Sequence, residues 1–227
     1  MRKSVFDVSL LLLAVVLMGC ASLSQKSTKL SELENENAAL KTENQSLHSK
    51  MEKGAEQSKT RCDALNDKLQ DEVKQGQLTI TQYKNMLKVE IAEKLFFNSG
   101  SAKLKESGKI VLKKLAESLK TMPDTVIRVV GHTDNVPIKS KWQKLFPTNW
   151  ELSTLRATTV VRYLQEAGSI PADSLVAVGR GENDPIATND TDAGRMQNRR
   201  IEIGIVDKEL EASLGEIQDG TMGQHPQ

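Results

Sequence analysis

The feature that most constrains this chain is a run of about sixty residues, from Ser27 to Met86, that contains no proline and almost no aromatic residue. Leucine recurs there at heptad spacing, and asparagine occupies alternate positions of the same seam. Such a seam is typical of a dimeric coiled coil, because paired asparagines fix the register while they weaken the seam. The seam positions are Leu30, Leu33, Asn37, Leu40, Asn44, Leu47 and Met51.

The seam weakens at Gly54, Ser58 and Arg61 and then resumes with a shifted phase, which is typical of a stutter. We therefore predict a helical coiled-coil stalk over residues 28–87, which would span on the order of 90 Å. The alternative is a solvated, partly helical tether that does not self-associate. The second seam consists of Leu65, Leu69, Val73, Ile80, Tyr83 and Leu87.

The N-terminus has the pattern of a secretory signal. Arg2 and Lys3 precede an apolar stretch, Val8 to Met18, which is shorter than the roughly 20 apolar residues of a membrane-spanning helix. The sequence Leu17-Met18-Gly19-Cys20 resembles the bacterial lipobox. This resemblance implies a signal peptide over residues 1–19 and lipidation of Cys20, with an ordinary secretory signal as the alternative.

Lipidation would place the rest of the chain outside the cytoplasm. Ala21 follows the cysteine where an aspartate would favour retention, so resemblance to enterobacterial lipoproteins implies sorting to the outer membrane. Residues 20–27 then form the lipidated N-terminus and linker. Cys62 is the one cysteine that remains, and a lone thiol in an oxidising compartment invites intermolecular pairing. We predict an interchain disulfide at Cys62 between two parallel stalks, with a free thiol as the alternative.

Composition limits the size of the folded part. The chain has 31 basic and 30 acidic residues, so it offers no electrostatic reason to expect nucleic acid as a partner. Aromatic residues make up 4% of the sequence, which predicts a single modest core. The residues that follow the signal are too many for that core alone, and the stalk accounts for the excess.

A folded domain is predicted over residues 88–207, where helical and strand patterns alternate. Their order gives a βαβαβ(α)β α/β sandwich with helices on one face. Residues 208–227 are charged and end in Gly, Gln and Pro, which predicts a flexible tail. The predicted helices cover residues 104–119 and 152–167, and the predicted strands cover residues 89–97, 125–131, 175–178 and 198–206.

Several short motifs occur in order within this domain, and together they resemble the OmpA C-terminal-like peptidoglycan-binding domain. The segment 135–153 resembles the longer loop of the MotB branch, the flagellar stator's wall anchor, rather than the shorter loop of Pal-type lipoproteins. MotB has an uncleaved membrane helix, so the lipobox disfavours a stator role. The motifs are Phe97-Asn98-Ser99-Gly100-Ser101-Ala102, Gly131-His132-Thr133-Asp134, Leu152-Ser153, Arg156-Ala157, Gly179-Arg180-Gly181, Pro185 and Asn198-Arg199-Arg200-Ile201-Glu202-Ile203.

The resemblance implies non-covalent binding of the peptide stems of peptidoglycan through meso-diaminopimelate, whose side chain ends in an ammonium and a carboxylate. Carried onto this sequence, Asp134 receives the ammonium and Arg156 forks onto the carboxylate, a contact that suits a guanidinium. Asn149 matches a position that hydrogen-bonds the ligand, and a helix N-cap is its alternative role. Thr133 and Asn135 flank Asp134 and shape either the pocket or only the turn.

Other interpretations of these residues remain open. A structural salt bridge between Asp134 and Arg156 is the alternative to a ligand site. One of Arg199 and Arg200 could border the pocket, although pairing with surface carboxylates is the simpler expectation. His132 and Asp134 are two apart and offer a metal or acid–base pair, as in a wall hydrolase. No third ligand stands at a familiar spacing and no nucleophile has a positioned base, so no metal, cofactor or catalytic residue is expected.

The sequence therefore predicts a lipid-anchored protein on the periplasmic face of the outer membrane that tethers this membrane to the cell wall. Its expected partners are peptidoglycan, the outer membrane through the acyl anchor, and a second copy of the chain through the stalk. Two alternatives are a partner-docking lipoprotein of a motor, secretion or division machine, with wall binding secondary, and a cell-wall hydrolase.

Overall fold

The computed structural model describes residues 3–83 and 85–212, with side chains from residue 28 onward. The chain divides into two units, Met1–Lys53 and Gly54–Gln227. The predicted signal peptide, Cys20 and the linker to residue 27 lie outside the residues whose side chains are described. Within residues 28–83 and 85–212, no helix combines the length and the apolar composition that crossing a membrane requires.

The first unit contains the amino-terminal part of helix α1 (Lys3–Lys68). Every residue from 28 to 53 is exposed, including the predicted seam. Spacings of three and four residues place these seam positions on one face of the helix. The long helix is confirmed, and the coiled coil stays a prediction. The large apolar residues on this face, here called the exposed stripe, are Leu30, Leu33, Leu40, Leu47 and Met51, each 46–59% exposed.

The last part of α1 belongs to the second unit and packs on its core. Ser58, Cys62, Leu65 and Leu69 recur at helical spacing and are buried, and the last three belong to the hydrophobic core cluster. The predicted second seam was therefore misassigned where Leu65 and Leu69 are concerned. These residues contact the folded domain of their own chain, so a partner helix is not needed to explain their apolar character.

The interchain disulfide predicted at Cys62 stays a prediction, and the surroundings of this thiol disfavour it. This thiol is free and buried, with 9% of the residue exposed, and Asn66 Nδ2 lies 3.5 Å from its Sγ. Burial is the main cause of a raised pKa of the thiol, which lowers the thiolate fraction that oxidation requires. Cys62 belongs to the hydrophobic core cluster of its own domain, a position that is unfavourable for pairing with a second copy.

The predicted stalk over residues 28–87 is also too long. Helix α1 ends at Lys68, a short helix α2 (Gln70–Lys74) follows, and Gly76 then adopts a φ of +64° that glycine tolerates. The chain next forms a hairpin of strands β1 (Leu78–Tyr83) and β2 (Met86–Ala92). The alternating Thr and Ile residues of β1 suit a strand with period two. The folded domain therefore begins well before residue 88.

The five strands form one sheet in the order β1-β2-β5-β3-β4. Neighbouring strands are antiparallel except β3 and β4, which are parallel and are connected through α5. The mixed α/β class is confirmed, with one strand more than predicted. The remaining elements are α3 (Glu93–Phe96), α4 (Glu106–Leu119), β3 (Thr125–His132), α5 (Asn149–Glu166), a 3₁₀ turn (Ala172–Ser174), β4 (Leu175–Gly181), α6 (Asp192–Asn198) and β5 (Arg200–Asp207).

The core lies between the sheet and helices α4, α5 and the end of α1. On β5, Ile201, Ile203 and Ile205 lie on one face, which is fully buried, whereas Glu202 and Gly204 on the other face are half-buried. Fully burying an aliphatic side chain of this size stabilises a fold by about 1.5–3 kcal/mol. The core residues of the two long domain helices are Val111, Leu112, Leu115, Ala116 and Leu119 in α4 and Ala157, Val160 and Leu164 in α5.

Two predicted boundaries need correction. The strand predicted over residues 89–97 ends at Ala92, and α3 replaces its second half. The tail predicted from residue 208 starts later, because residues 208–212 are helical and the Lys208 N–H donates to the Asp124 carbonyl at 2.8 Å. Arg128 also pairs with Glu211. Residues 213–227 lie outside the described part of the chain.

Candidate ligand-binding site

A crevice of about 570 Å³ opens at one end of the sheet, where four elements converge. It collects residues from α3 and the loop that follows it, from the loop after β3, from the first half of α5, and from α6 with its C-cap residue Arg199. The register of the sheet explains this convergence. Gly131 of β3 pairs with Ile201 of β5, and Ala92 of β2 pairs with Arg200 of β5. The end of β3, the end of β2 and the start of β5 therefore meet side by side.

Four charged side chains form a connected row along this crevice, here called the charge row. Arg199 pairs with Asp134 through Nη1 and with Glu93 through Nε at 3.4 Å. Glu93 in turn pairs with Arg156 through its other carboxylate oxygen. The order is Asp134, Arg199, Glu93, Arg156, so acids and bases alternate. Among the described residues no ion pair joins Asp134 directly to Arg156, which contradicts the alternative of a simple salt bridge between them.

Arg156 is held from several sides. Its Nε donates to the Ser101 carbonyl at 3.0 Å, its Nη2 contacts Glu93, and its guanidinium carbon lies 5.3 Å from the centre of the Phe97 ring. The side chain is 3% exposed. Within the described part of the chain its Nη1 has no hydrogen-bond partner, and Arg156 lines the crevice. The guanidinium is therefore fixed in orientation and keeps a donor for a ligand.

Burial shifts the pKa values of two members of the charge row, Glu93 and Arg156. Burial is the main cause of a raised pKa of Glu93, and the neighbouring Arg156 and Arg199 oppose that rise. Burial likewise lowers the pKa of Arg156, and Glu93 opposes the change. Because each group depends on its neighbour to stay charged, removal of one leaves a buried charge uncompensated. Such a loss costs about 3–5 kcal/mol in proteins.

Asp134 has a role for each of its oxygens. Oδ1 accepts a hydrogen bond from the Val136 N–H at 3.2 Å, which fixes the turn after β3, and Oδ2 faces Arg199. The residue is 6% exposed and lines the crevice. The structure thus places Asp134 as the acid nearest to the loop and Arg156 as the base nearest to α3.

Asn149 braces the loop after β3. Its Nδ2 lies 2.7 Å from Glu182 Oε2, 3.2 Å from the Val136 carbonyl and 3.3 Å from the Asp134 carbonyl. It is the first residue of α5, and the helix N-cap is Thr148, which forms a capping box with Glu151. The alternative role of Asn149 as the N-cap is therefore wrong. Asn149 lines both the crevice and a neighbouring groove.

Thr133 and Asn135 line different cavities in the structure. Thr133 is buried, lines the crevice and donates its backbone N–H to the Gly181 carbonyl at 2.8 Å, which ties the loop to β4. Asn135 is exposed and lines a neighbouring groove on the other side of the loop. Of the two residues that flank Asp134, the structure brings only Thr133 into the crevice.

The predicted long loop forms one wall of the crevice. Phe146 is buried and anchors it. Trp142 packs over Gly100, where a Cβ atom would lie 2.6 Å from the indole Nε1, and Gly100 has a φ of +68°. Both the close approach and the backbone conformation require glycine at this position. The other loop residues that line the crevice are Val136, Pro137, Ile138 and Lys139.

Glu93 was not predicted as a site residue, and Arg199 was expected to pair with surface carboxylates. Glu93 lay inside a segment predicted as a strand, and the turn into α3 is what directs it toward Arg156. A carboxylate within the apolar run from Val89 to Phe97 was the available signal. Arg200 lies elsewhere: it is buried and its guanidinium approaches Glu90, Asp184 and Glu202 at 3.5–3.9 Å.

His132 does not form an acid–base pair with Asp134. Its ring nitrogens have no hydrogen-bond partner among the described residues, and the nearest carboxylates are those of Asp184 and Glu202, each 4.0 Å away. Burial is the main cause that lowers the pKa of His132 to about 4. In the part of the chain that the structure describes, no group of three or more His, Cys, Asp or Glu residues is arranged to hold a metal ion.

Known proteins share this domain. Residues 96–199 match the OmpA family. Motility protein B of Bacillus subtilis (strain 168) is 34% identical over 61% of this chain and 52% of its own length. The Escherichia coli (strain K12) protein named "Probable lipoprotein YiaD" is 32% identical over 62% of this chain and 61% of its own length. Peptidoglycan-binding protein ArfA of Mycobacterium tuberculosis (strain ATCC 25618 / H37Rv) is 36% identical over 47% of this chain and 30% of its own length.

These relatives are matched over about a third to three-fifths of their length, so the similarity concerns the domain. A solved structure supports the same conclusion. The cell wall anchor of the T6SS from Pseudomonas aeruginosa is 30% identical with a TM-score of 0.57, over 63% of this chain and 96% of that one. Residues 96–199 therefore form an OmpA-like domain, which has motility protein B among its relatives.

Proposed function

We propose that this protein binds peptidoglycan non-covalently through the diaminopimelate of its peptide stems. The observation that carries the proposal is the charge row, in which Asp134 and Arg156 stand at opposite ends of one crevice. A zwitterionic head group presents an ammonium to the acid and a carboxylate to the free donor of the guanidinium. Two similar proteins, one named a peptidoglycan-binding protein and one a cell wall anchor, support binding to the same polymer.

Binding in this proposal exchanges one set of ion pairs for another. The ligand ammonium competes with Arg199 for Asp134, and the ligand carboxylate joins Glu93 at Arg156. Charge-assisted hydrogen bonds of this kind are roughly twice as strong as neutral ones. Because acids and bases already alternate along the crevice, the ligand extends an existing pattern and leaves no buried charge unpaired.

Co-sedimentation with purified sacculi tests the proposal. We expect Asp134→Asn and Arg156→Lys each to reduce the bound fraction, because the first removes the charge that attracts the ammonium and the second cannot fork onto a carboxylate. Asp63→Asn and Arg162→Lys are matched controls at exposed positions outside the crevice. A thermal melt of each variant verifies folding. Undiminished binding by both folded site variants would refute the assignment.

We further propose that the chain is a lipoprotein of the outer membrane that tethers this membrane to the wall. The lipobox at Leu17–Cys20 supports the anchor, and one relative bears the name of a lipoprotein. Replacing Cys20 by Ser should move the protein from the membrane fraction to the soluble periplasmic fraction. Metabolic labelling with a fatty-acid analogue reads the modification directly, and membrane retention of an unlabelled Cys20→Ser variant contradicts the proposal.

We also propose that the exposed stripe packs against the same stripe of a second chain to form a dimer. Its leucines are interleaved with Asn37 and Asn44, which set the register of a two-stranded coiled coil. Bivalency would then strengthen attachment to a polymer through effective concentration. Analytical ultracentrifugation of Leu40→Lys and Leu47→Lys should show monomers, whereas Lys41→Gln should leave the dimer intact. A monomeric wild-type chain rules the dimer out.

A second candidate function is the docking of a partner in an envelope machine. Leu145 and Trp150 near the crevice are 61% and 48% exposed, and the wall anchor of a secretion system is among the similar structures. If docking is the main role, a Leu145→Ala and Trp150→Ala double variant should keep binding to sacculi while the cell loses the envelope function. A double variant with full function in cells argues against this candidate.

A further inference from the structure

The crevice carries more positive than negative charge. Its acids and bases come from the charge row, from α3, from the loop and from α6. With every group ionised, the five basic and three acidic residues leave a net charge of +2. The basic residues are Lys94, Lys139, Arg156, Arg195 and Arg199, and the acidic residues are Glu93, Asp134 and Asp192.

All three guanidiniums have carboxylate partners inside the crevice. Arg156 pairs with Glu93 and Arg199 pairs with Asp134, as described for the charge row. Arg195 at the rim pairs with Asp192, and its Nη1 also contacts the Asn189 carbonyl. These three pairs account for all the acids that line the crevice, so the excess charge comes from the two lysines.

Lys94 and Lys139 are free to meet a ligand. Lys94 belongs to α3, and Lys139 belongs to the loop after β3. Both are exposed, and across residues 28–83 and 85–212 neither ammonium has an ion pair or a hydrogen bond. The head group of diaminopimelate is a zwitterion with no net charge, so its binding leaves both lysines without a counter-charge.

We propose that the crevice selects wall peptides that carry a free carboxylate next to the diaminopimelate, and that Lys94 and Lys139 receive it. This inference rests on the proposed function. A stem peptide contains a glutamate joined through its side chain, so the α-carboxylate of this residue remains available beside diaminopimelate. When that carboxylate is converted to an amide, the peptide keeps its zwitterion and loses the negative charge that balances the lysines.

The expected contribution of these lysines is moderate. An exposed ammonium paired with a carboxylate gains about two- to five-fold in affinity, so two lysines give about ten-fold discrimination between acid and amide. Because the contacts are exposed, salt should weaken this discrimination. The buried pairs of Asp134 and Arg156 should depend on salt much less.

Titration calorimetry of the full chain in detergent micelles tests the inference with two synthetic stem tripeptides that end in diaminopimelate. The backbone carboxyl of this last residue is capped as an amide in both peptides, so that it adds no charge outside the head group. They differ only in a free α-carboxylate or an α-amide on the glutamate. We expect the acid to bind about ten-fold tighter than the amide. In a Lys94→Gln and Lys139→Gln double variant, the two peptides should bind alike.

Lys113→Gln, at an exposed position of α4 that does not line the crevice, is the matched control and should keep the full discrimination. Equal binding of acid and amide by the wild type overturns the inference, as does discrimination that survives in the double variant. In both cases the proposed function stands, because the peptides still bind. Failure of both peptides and of sacculi to bind the wild type removes the proposed function and this inference together.

Discussion

The imidazole of His132 links the stability of the domain to pH. Its pKa falls from an ordinary 6.5 to about 4, chiefly through burial, with Arg200, Arg180 and Lys88 acting in the same direction. As the pH falls, the unfolded chain therefore binds the proton first. The contribution of neutral His132 to the free energy of unfolding is fully present above pH 6.5. It is lost progressively as the pH falls to about 4, by about 3 kcal/mol over that window.

Urea unfolding of the wild type and of His132→Phe at a series of pH values measures this effect. The difference in unfolding free energy between them should change by about 3 kcal/mol across the window. At neutral pH the variant should be the more stable, since it removes two ring nitrogens that have no partner. Glu202, whose pKa is raised by burial, acts in the opposite direction but is present in both proteins. Parallel pH profiles contradict the prediction.

Two glycines set the position of α5. Gly131 of β3 and Gly179 of β4 are register partners. A Cβ on Gly131 would lie 2.2 Å from the Ser153 carbonyl oxygen, and one on Gly179 would lie 2.8 Å from the Thr154 backbone nitrogen. These contacts are with the backbone of α5, which cannot rotate away as a side chain would. The pair therefore forms a notch in which the first turns of α5 rest.

Gly131→Ala should consequently lower the free energy of unfolding by about 3 kcal/mol, as overpacking of a rigid contact does. It should also weaken binding to sacculi, because Arg156 follows Ser153 by one turn. Gly204→Ala is the control: its nearest neighbour to a Cβ is the Arg128 carbonyl oxygen at 3.9 Å, which leaves room for a methyl group. Equal loss of stability in the two variants would show that space at the notch is not the cause.

The sequence alone identified part of this site. Asp134, Arg156 and Thr133 were predicted from their motifs, and the structure brings them to one crevice. Glu93 escaped prediction because its role depends on a turn that separates Ala92 from the helix that follows, and residue periodicity does not show that turn. The partner of Arg199 was likewise inaccessible, since it follows from strand order and not from spacing along the chain.

At the scale of single elements, the amino terminus of α5 depends on a capping box. The Thr148 hydroxyl accepts a hydrogen bond from the Trp150 N–H at 3.1 Å, and Glu151 Oε2 accepts one from the Thr148 N–H at 2.7 Å. The box satisfies backbone donors that the helix itself leaves open. The capping box also lies two turns from Arg156, so fraying of the amino terminus of α5 would disturb the position of Arg156.

Thr148→Ala should lower the free energy of unfolding by about 1 kcal/mol, the usual value for loss of a threonine cap. Thr158→Ala serves as the comparison, because Thr158 is half-buried within the same helix and its hydroxyl donates to the Thr154 carbonyl, away from the cap. Chemical denaturation distinguishes the two. A larger loss for Thr158→Ala than for Thr148→Ala would contradict the assigned cap.

The predicted and observed elements differ most before residue 93. The helices α4 and α5 and the strands β3 and β5 were predicted close to their observed limits, because their apolar periodicity is unambiguous. Leu78, Ile80 and Leu87 fit both a heptad seam and an alternating strand, and the strand pairing that decides between them involves residues far apart in sequence. The end of the stalk could not be located from local pattern alone.

At the scale of the whole molecule, the boundary of the folded domain has a measurable consequence. A chain that starts at residue 88 loses β1, the first residues of β2 and the buried Leu65 and Leu69. A chain that starts at residue 54 keeps all of them. We expect the longer fragment to unfold cooperatively on heating and the shorter one to lose most of its stability.

Calorimetry of the two fragments checks this expectation. Loss of two fully buried leucines alone removes about 3–6 kcal/mol of burial, which is a large share of the stability of a small domain. A third fragment that starts at residue 54 and carries Leu65→Ala and Leu69→Ala separates the contribution of the helix from that of the strands. Equal melting temperatures for the fragments from 54 and 88 would contradict the observed boundary.

The notch of Gly131 and Gly179 also determines which part of the molecule can be exchanged. Because α5 rests on the two strands, its position does not depend on the segment that leads into it. Residues 137–145, which exclude the Val136 N–H that holds Asp134 and the buried Phe146, can therefore be replaced by a segment of different length or composition while Arg156 keeps its place. Such exchanges would alter what surrounds the bound head group, including Lys139 and Trp142, without rebuilding the scaffold that recognises it.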